Sequence, residues 1–340
     1  MKLLILILPL FLSNCIGYLL HLGKGQFQIL YDRKEISKLI NQTDIDSNQK
    51  EKLKLIADAR EFALENLSLN KKGGFLYFTK LDRTEVGWHV TASYPLKFES
   101  YTWWFPIVGK VPYKGYFDLE EAKKLEDDLI KEGLDTRLRI TAGYSTLGWF
   151  SDPVLSPQLR LRDDELVALV IHELSHATVY INGDSIFNES YASFVEEMGT
   201  KKFFETNFKE KSEEILTKRK KIQTENKYII SEMKKTGNQL KELYNEKITD
   251  EEKLNRKKEI IETFRETILS NPELQFLDKE RYKKIKLNNE SFIGVLRYAS
   301  GFSFFQKKLE EVNGDFKKFH EEMEKMKSLT KQEREKLIVE

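Results

Sequence analysis

Hydrophobic residues are spaced differently in different parts of the chain, and each spacing predicts its own kind of element. From Arg33 to Leu67 the run RKEISKLINQTDIDSNQKEKLKLIADAREFALENL is charged but returns to apolar residues at helical intervals. Ile36, Leu39 and Ile40 fall on one side, and Leu53, Ile56 and Ala57 on another. This spacing predicts two surface helices in a hairpin. Between Gly73 and Pro157 the texture changes to aromatic and β-branched residues broken by glycine and proline, as in GGFLYFTKLDRTEVGWHVTASY, YTWWFPIVGKVPYKGYFD and TRLRITAGYSTLGWFSDPVLS. Such runs form short strands and ordered loops, so a small sheet is expected here. Among them DLEEAKKLEDDLIKEG predicts a helix closed by Gly133.

From Leu166 onward nearly the whole chain reads as helix. LVALVI, ahead of His172, is apolar nearly all round, which marks a buried helix. INGD, from Ile181 to Asp184, is a turn, and FNESYASFVEE begins a second helical pattern after it. Lys209 to Ser270 is dense in Lys and Glu, with Ile215, Ile222 and Ile229 seven apart on the way out and Leu254, Ile261 and Ile268 seven apart on the way back. A narrow apolar seam on a charged rod predicts an antiparallel coiled-coil hairpin turning near Asn245 to Asp250, with Thr249 and Glu252 as the capping box of its return helix. The charge runs read as a solvated face, with a protein partner along the hairpin as the alternative. After Pro272, LNNESFIGVLRYASGFSFF and GDFKKFHEEMEKM predict helices returning to the core. The expected fold class is α+β, mainly α with a small β-sheet.

Composition narrows the picture. A chain of 340 residues with 40% hydrophobic content can bury a real core. Lys+Arg 56 against Asp+Glu 55 leaves a net charge of +1, so no global field favours a polyanion and no nucleic-acid partner is expected. At the N-terminus, Lys2 is followed by an apolar stretch from Leu3 to Leu12 that is too short to span a bilayer, and LSNC ends at the sole cysteine, Cys15. This resembles a bacterial lipoprotein signal peptide, in which the cysteine is acylated. Asn14 departs from the small residue usual before that cysteine, and an uncleaved anchor is the alternative because apolar residues resume from Ile16 to Leu22. Either reading ties the protein to a membrane of the bacterial cell envelope, outside the cytoplasm. One cysteine excludes an intrachain disulfide and a cysteine-based metal site.

The candidate chemistry lies in HELSH, residues 172–176. Residues i and i+4 lie one turn apart on one helix face, so the imidazoles of His172 and His176 can reach a single ion. Glu173 points close enough to take a proton from a water on that ion. Two buried imidazoles beside a carboxylate are costly in a low-dielectric interior, and a divalent cation offsets most of that cost. A hydrolytic zinc needs a third protein ligand and an open position. Glu189 is the candidate, brought back by the short INGD reversal at the start of the second helix, with Asn188 as a cap and Ala192 permitting close approach. Ser193 or Glu196 would accept the free N–H of one histidine. The other histidines, His21, His89 and His320, lack ligand-like spacing and read as structural or exposed.

HELSH followed by FNESYASFVE resembles the signature of gluzincin metallopeptidases, in which HExxH is followed by a glutamate in an NE-x-x-A setting, although the interval here is shorter than in the well-known aminopeptidases of that group. The resemblance implies His172, His176 and Glu189 as ligands of one Zn²⁺ ion and Glu173 as general base. The chain is more closely similar to a bacterial family of predicted aminopeptidases, often lipoproteins. That likeness rests on GKGQFQIL, FPIVGKVPYKGYFD, GYSTLGWFSDPVLS, the HELSH segment and LNNESFIGVLRYASGF, which together span most of the chain. It implies a zinc metallopeptidase acting on peptide substrates. Tyr144 and Tyr298 are candidate oxyanion donors, each alternatively a core aromatic, and an edge strand through Ala142 to Gly148 could bind the substrate backbone. GYSTLG offers no carboxylate for a substrate α-ammonium, a role that would fall to Glu196, Glu197 or another residue. The alternatives are a non-catalytic, membrane-anchored binding lipoprotein with structural zinc, against which Glu173 counts, and a zinc hydrolase of non-peptide or cell-wall amide bonds. The expected division is a signal peptide over 1–15, N-terminal helices and small sheet over 16–160, the zinc-binding helix pair over 161–205, the hairpin over 206–271 and C-terminal helices over 272–340. The hairpin reads as an insertion that could be shortened without loss of zinc.

Overall fold

The computed structural model describes residues 17–18, 22–72, 74–105, 109–141, 151–296 and 301–339. The signal segment with Cys15, the stretch Ala142–Gly148, Tyr144 and Tyr298 lie outside the described residues. Among the described residues no helix is long and apolar enough to cross a membrane.

The chain is mostly helical with small sheets. Helix α1 covers 22–31, and the one-turn α2 (Ile36–Leu39) follows strand β1 (Lys34–Glu35). Helix α3 (Ser47–Asn66) is capped by Asp46, whose carboxylate accepts the Gln49 N–H. Here the structure departs from the expected surface hairpin. Leu53, Leu55, Ile56, Ala59, Phe62 and Ala63 of α3 are all buried, because its apolar face is wider than the stripe of Leu53, Ile56 and Ala57 and becomes a wall of the core.

The expected single sheet is three small ones among the described residues. Strand β2 (Tyr77–Thr79) pairs antiparallel with β1 and parallel with β8 (Val154–Leu155). Strands β4 (Trp103–Phe105) and β5 (Gly109–Val111) form their own ribbon. The third sheet, in the order β6–β3–β7, is antiparallel, with β3 (Trp88–Ser93) between β6 (Tyr113–Tyr116) and β7 (Asp135–Ile140). Alternation along β3 divides its faces. Trp88, Val90 and Ala92 pack on Ala122 and Leu129 of α4 (Leu119–Lys131), leaving His89, Thr91 and Ser93 for the other face. Gly133 follows α4 with φ +80, a left-handed conformation that favours glycine.

The main core forms where α3 meets α5 (Asp163–Thr178) and α6 (Ser185–Asn207), with Val167, Val170, Ile171, Leu174, Phe187, Tyr191 and Phe194 buried. Gly199 of α6 permits the close approach, since a Cβ there would lie 2.5 Å from Leu67 Cδ1 and 3.2 Å from Ile171. Phe305 of α11 (Phe302–Glu311) and Phe319 of α12 (Phe316–Lys325) close the core from the C-terminal side. His320, also on α12, is structural. Its Nε2 donates to the Leu67 carbonyl at 2.8 Å, so its Nδ1 must accept from the Tyr191 hydroxyl at 2.8 Å.

Helices α7 (Lys209–Asn245) and α8 (Asp250–Ser270) are joined by a short turn, and Thr249 Oγ1 accepts the Glu252 N–H at 3.2 Å. Ile261 and Ile268 are buried with Met233, Leu240 and Phe264, whereas Leu254 is 38% exposed and Ile215 packs on the main core. The pair is not solvated all round. Phe292 of α10 (Asn289–Leu296), which follows the short α9 (Lys279–Lys284), packs against it. Lys257 of α8 is buried, ion-pairs with Asp135 of β7 and donates to the Pro95 carbonyl at 2.9 Å. Tyr244 donates to Asn289 Oδ1 at 2.6 Å, and Asn289 Nδ2 donates to the Tyr94 carbonyl at 2.8 Å. The two helices are thus docked onto the β6–β3–β7 sheet.

Candidate metal centre

His172, Glu173 and His176 lie on α5, whose preceding residues are buried because they are apolar on every side. A turn through Ile181 reverses the chain into α6, which carries Glu189, Ser193 and Glu196. The cap of α6 is Asp184 rather than Asn188. Its carboxylate accepts the Phe187 N–H at 3.1 Å and binds buried Arg334 of the C-terminal helix α13 (Lys331–Val339) at 2.7 Å. Asn188 instead accepts from the Ile181 N–H and donates to the Ile181 carbonyl, each at 2.8 Å, so its side chain ties the first turn of α6 to the reversal. Helix α6 therefore starts earlier than its sequence pattern suggested, and Glu189 sits in its second turn.

The turn brings three ligand atoms together. His172 Nε2 lies 3.2 Å from His176 Nε2 and 3.5 Å from Glu189 Oε2, and His176 Nε2 lies 3.8 Å from Glu189 Oε2. Ligands about 2.0–2.1 Å from a tetrahedral zinc stand about 3.3 Å apart. The triangle has the size of one face of such a tetrahedron, and its donor set suits zinc. No other group of three such side chains with this convergence occurs among the described residues.

The electrostatics favour a cation. Burial opposes charge on His172, but hydrogen bonds to Glu189 and Glu196, and the charges of Glu196 and Glu173, hold its pKa well above the ordinary value. Burial and the charge of His172 push His176 down to about 4. Carboxylates thus gather around one imidazole, and a bound cation would answer the same negative field. His172 Nδ1 meets Glu196 Oε2 at 3.1 Å, so Glu196, not Ser193, partners the histidine. Burial would raise the Glu196 pKa, but His172 and Arg219 lower it. Arg219 of α7 approaches Glu196 Oε1 at 3.0 Å. That engagement leaves Glu196 poorly placed to hold a substrate α-ammonium. Neighbouring Glu197 is raised, chiefly by burial, against the charges of Lys227 and Arg219.

Glu173 is partly exposed beside the triangle. Two further side chains come within the field of Glu189. Tyr180, in the reversal, is partly buried, and burial and Glu189 raise its pKa. His89, on the polar face of β3, is pushed down to about 4 by burial and Arg139, against the charge of Glu189. Tyr180 is one helical turn beyond His176 in sequence, a signal that could have drawn attention to it. Nothing near His89 or Arg219 in sequence marks them as neighbours of the centre.

A partly buried His-His-Glu triangle on a helix pair, with a carboxylate beside the first histidine, defines a candidate divalent-cation centre in a helical α+β protein. The chain belongs to the family described as "Putative aminopeptidase", which matches residues 17–338, and that description is of a peptidase. No curated protein and no solved structure gives a significant match to it.

Proposed function

We propose that the protein is a gluzincin-type zinc aminopeptidase with a single Zn²⁺ site. The convergence of His172 Nε2, His176 Nε2 and Glu189 Oε2 at 3.2–3.8 Å, next to Glu173, carries this reading. A zinc ion held by these three side chains would supply Lewis acidity, lowering the pKa of water and polarising a peptide carbonyl. Glu173 accepts the proton of the attacking water and delivers it to the leaving amine. Glu196 accepts from His172 Nδ1, which leaves the Nε2 lone pair directed at the centre. A hydroxyl donor for the developing oxyanion would come from Tyr144 or Tyr298, and Tyr180 joins them by its place near Glu189. The substrate is a peptide, and the N-terminal segment would tether the enzyme through lipidated Cys15 to a membrane of the bacterial envelope. The heptad-spaced α7 and α8 are read as a coiled-coil hairpin.

The test is zinc content together with hydrolysis of aminoacyl and peptide fluorogenic substrates, by wild type and Glu173→Gln. We expect one zinc per chain in both proteins and a kcat about 10²–10⁴ lower in the variant. Zinc-loaded wild type that cleaves no amide in the panel would sink the peptidase reading.

A further inference from the structure

We propose that Arg219, carried by the long helix α7, is a positioning residue of the metal centre that orients His172 through Glu196. The proposal rests on the metal reading above and adds to it a residue from outside the HExxH helix pair.

Glu196 has two carboxylate oxygens, and each has its own partner. Oε2 faces His172 Nδ1 at 3.1 Å, while Oε1 faces Arg219 Nη2 at 3.0 Å. Dividing the oxygens in this way fixes the plane of the carboxylate, which would otherwise rotate about its terminal torsion. Fixing that plane fixes the ring of His172, because a ring donating from Nδ1 must present Nε2 on its far side, toward His176 and Glu189.

Arg219 is itself held. Its side chain is 13% exposed, and its Nη1 lies 3.5 Å from Asp164 Oδ2 on the first turn of α5. Asp164 is fixed in turn by Arg162, whose Nε and Nη2 each lie 3.0 Å from one of its oxygens. One guanidinium therefore joins α5, α6 and α7 at a single point. Removing it would leave the partly buried Glu196 and the buried Asp164 each short of a partner, a state that favours a changed rotamer or an added proton. The arrangement also bears on trimming the α7–α8 pair. Its distal part is docked on the sheet by Lys257 and Asp135, but its base reaches the metal centre, so a shortened form keeps the centre only if Arg219 stays in place.

The full-length chain is compared with Arg219→Met, Arg219→Lys and Lys257→Met. Lys257→Met loosens the same helix pair far from Glu196. Zinc affinity is measured by chelator competition, and the His172 tautomer by imidazole ¹⁵N spectra of metal-free protein on the alkaline side of the His172 titration. Arg219→Met should weaken zinc about 10–100-fold and convert His172 from a single Nδ1–H tautomer to a mixture. Arg219→Lys should recover part of both, and Lys257→Met should stay within about twofold of wild type, as distant sites do. Unchanged affinity and an unchanged single tautomer in Arg219→Met would overturn the proposal. An equal loss in Lys257→Met would overturn it too, by assigning the effect to helix docking in general. If wild type takes up no zinc, the metal reading fails separately, and the His172 spectrum alone decides whether Arg219 orients the ring. Should Arg219→Met fail to fold, a wild-type affinity and spectrum in Arg219→Lys would count against the guanidinium fork.

Discussion

The pairs α5–α6 and α7–α8 are each two helices joined by a short turn, yet they are held by different means. The first is largely buried in the main core, and its reversal is tied locally by Asp184 and Asn188. The second is charged, buries a strip containing Leu240, Phe264 and Ile268, and is pinned by residues remote in sequence. Lys257 and Asp135 are 122 positions apart, and Tyr244 bonds Asn289 in another helix. Chemistry that needs two ligands on one face can be encoded in a few consecutive residues. A charged helix pair that must sit at one place on a sheet needs partners from elsewhere, because its own surface is stable in water in many orientations.

The largest expected effect tests the local pair. His176→Ala removes one corner of the triangle and should abolish zinc retention on desalting while the far-ultraviolet circular dichroism stays near wild type; stoichiometric zinc in the variant would break the contrast. The next tests the docked pair. Lys257→Met leaves Asp135 in a largely buried position without its ion-pair partner and should cost about 3 kcal/mol or more in urea unfolding. Ile268→Ala, at a fully buried site, should cost about 2–4 kcal/mol by the same assay. Values near zero for both would mean that the α7–α8 pair is not docked in solution.

A pH experiment reports on the core against α6, where His320 meets Tyr191. Burial holds the His320 pKa down at about 4, against an ordinary 6.5, so between these values the unfolded chain binds more protons than the folded one. The stability from neutral His320 is complete above the unfolded value and is lost as pH falls toward 4, by up to about 3 kcal/mol. Urea midpoints at pH 7 and pH 5 should therefore differ less in His320→Gln than in wild type. An equal drop in both would assign the acid sensitivity to other groups. The smallest effect belongs to Leu254→Ala, at a seam position that is 38% exposed. It should shift stability by no more than about 0.5 kcal/mol, and a cost like that of Ile268→Ala would show that the heptad seam closes over its full length.

Much of the helical content was legible because periodicity is a local property. The buried character of α5, the INGD reversal and the two long helices follow from spacing within a few turns. The choice between Ser193 and Glu196 was not legible, since both lie on the same face of α6. The 3.1 Å approach of Glu196 to His172 depends on how the two helices are rotated against each other. The cap of α6 is not legible either, because Asp184 and Asn188 are both good capping residues, and Arg334, from the far end of the chain, holds Asp184 in that role. The division of the expected strands among three small sheets and the burial of α3 were not legible for a related reason. Short aromatic runs show that strands exist without showing which strands pair, and a helix face is surface or core according to what covers it.

By itself the sequence determined that two imidazoles and two carboxylates stand within a few turns of one another on a buried helix and the helix after it, because helical pitch and a short turn leave those side chains little freedom. Only the tertiary structure decided which groups surround them. Arg219 reaches Glu196 from 23 positions away, and His89 reaches the field of Glu189 from a separate sheet. The physical reason is one of range. Periodicity acts over a few residues of backbone, whereas burial and charge act through space on whatever the packed chain brings near.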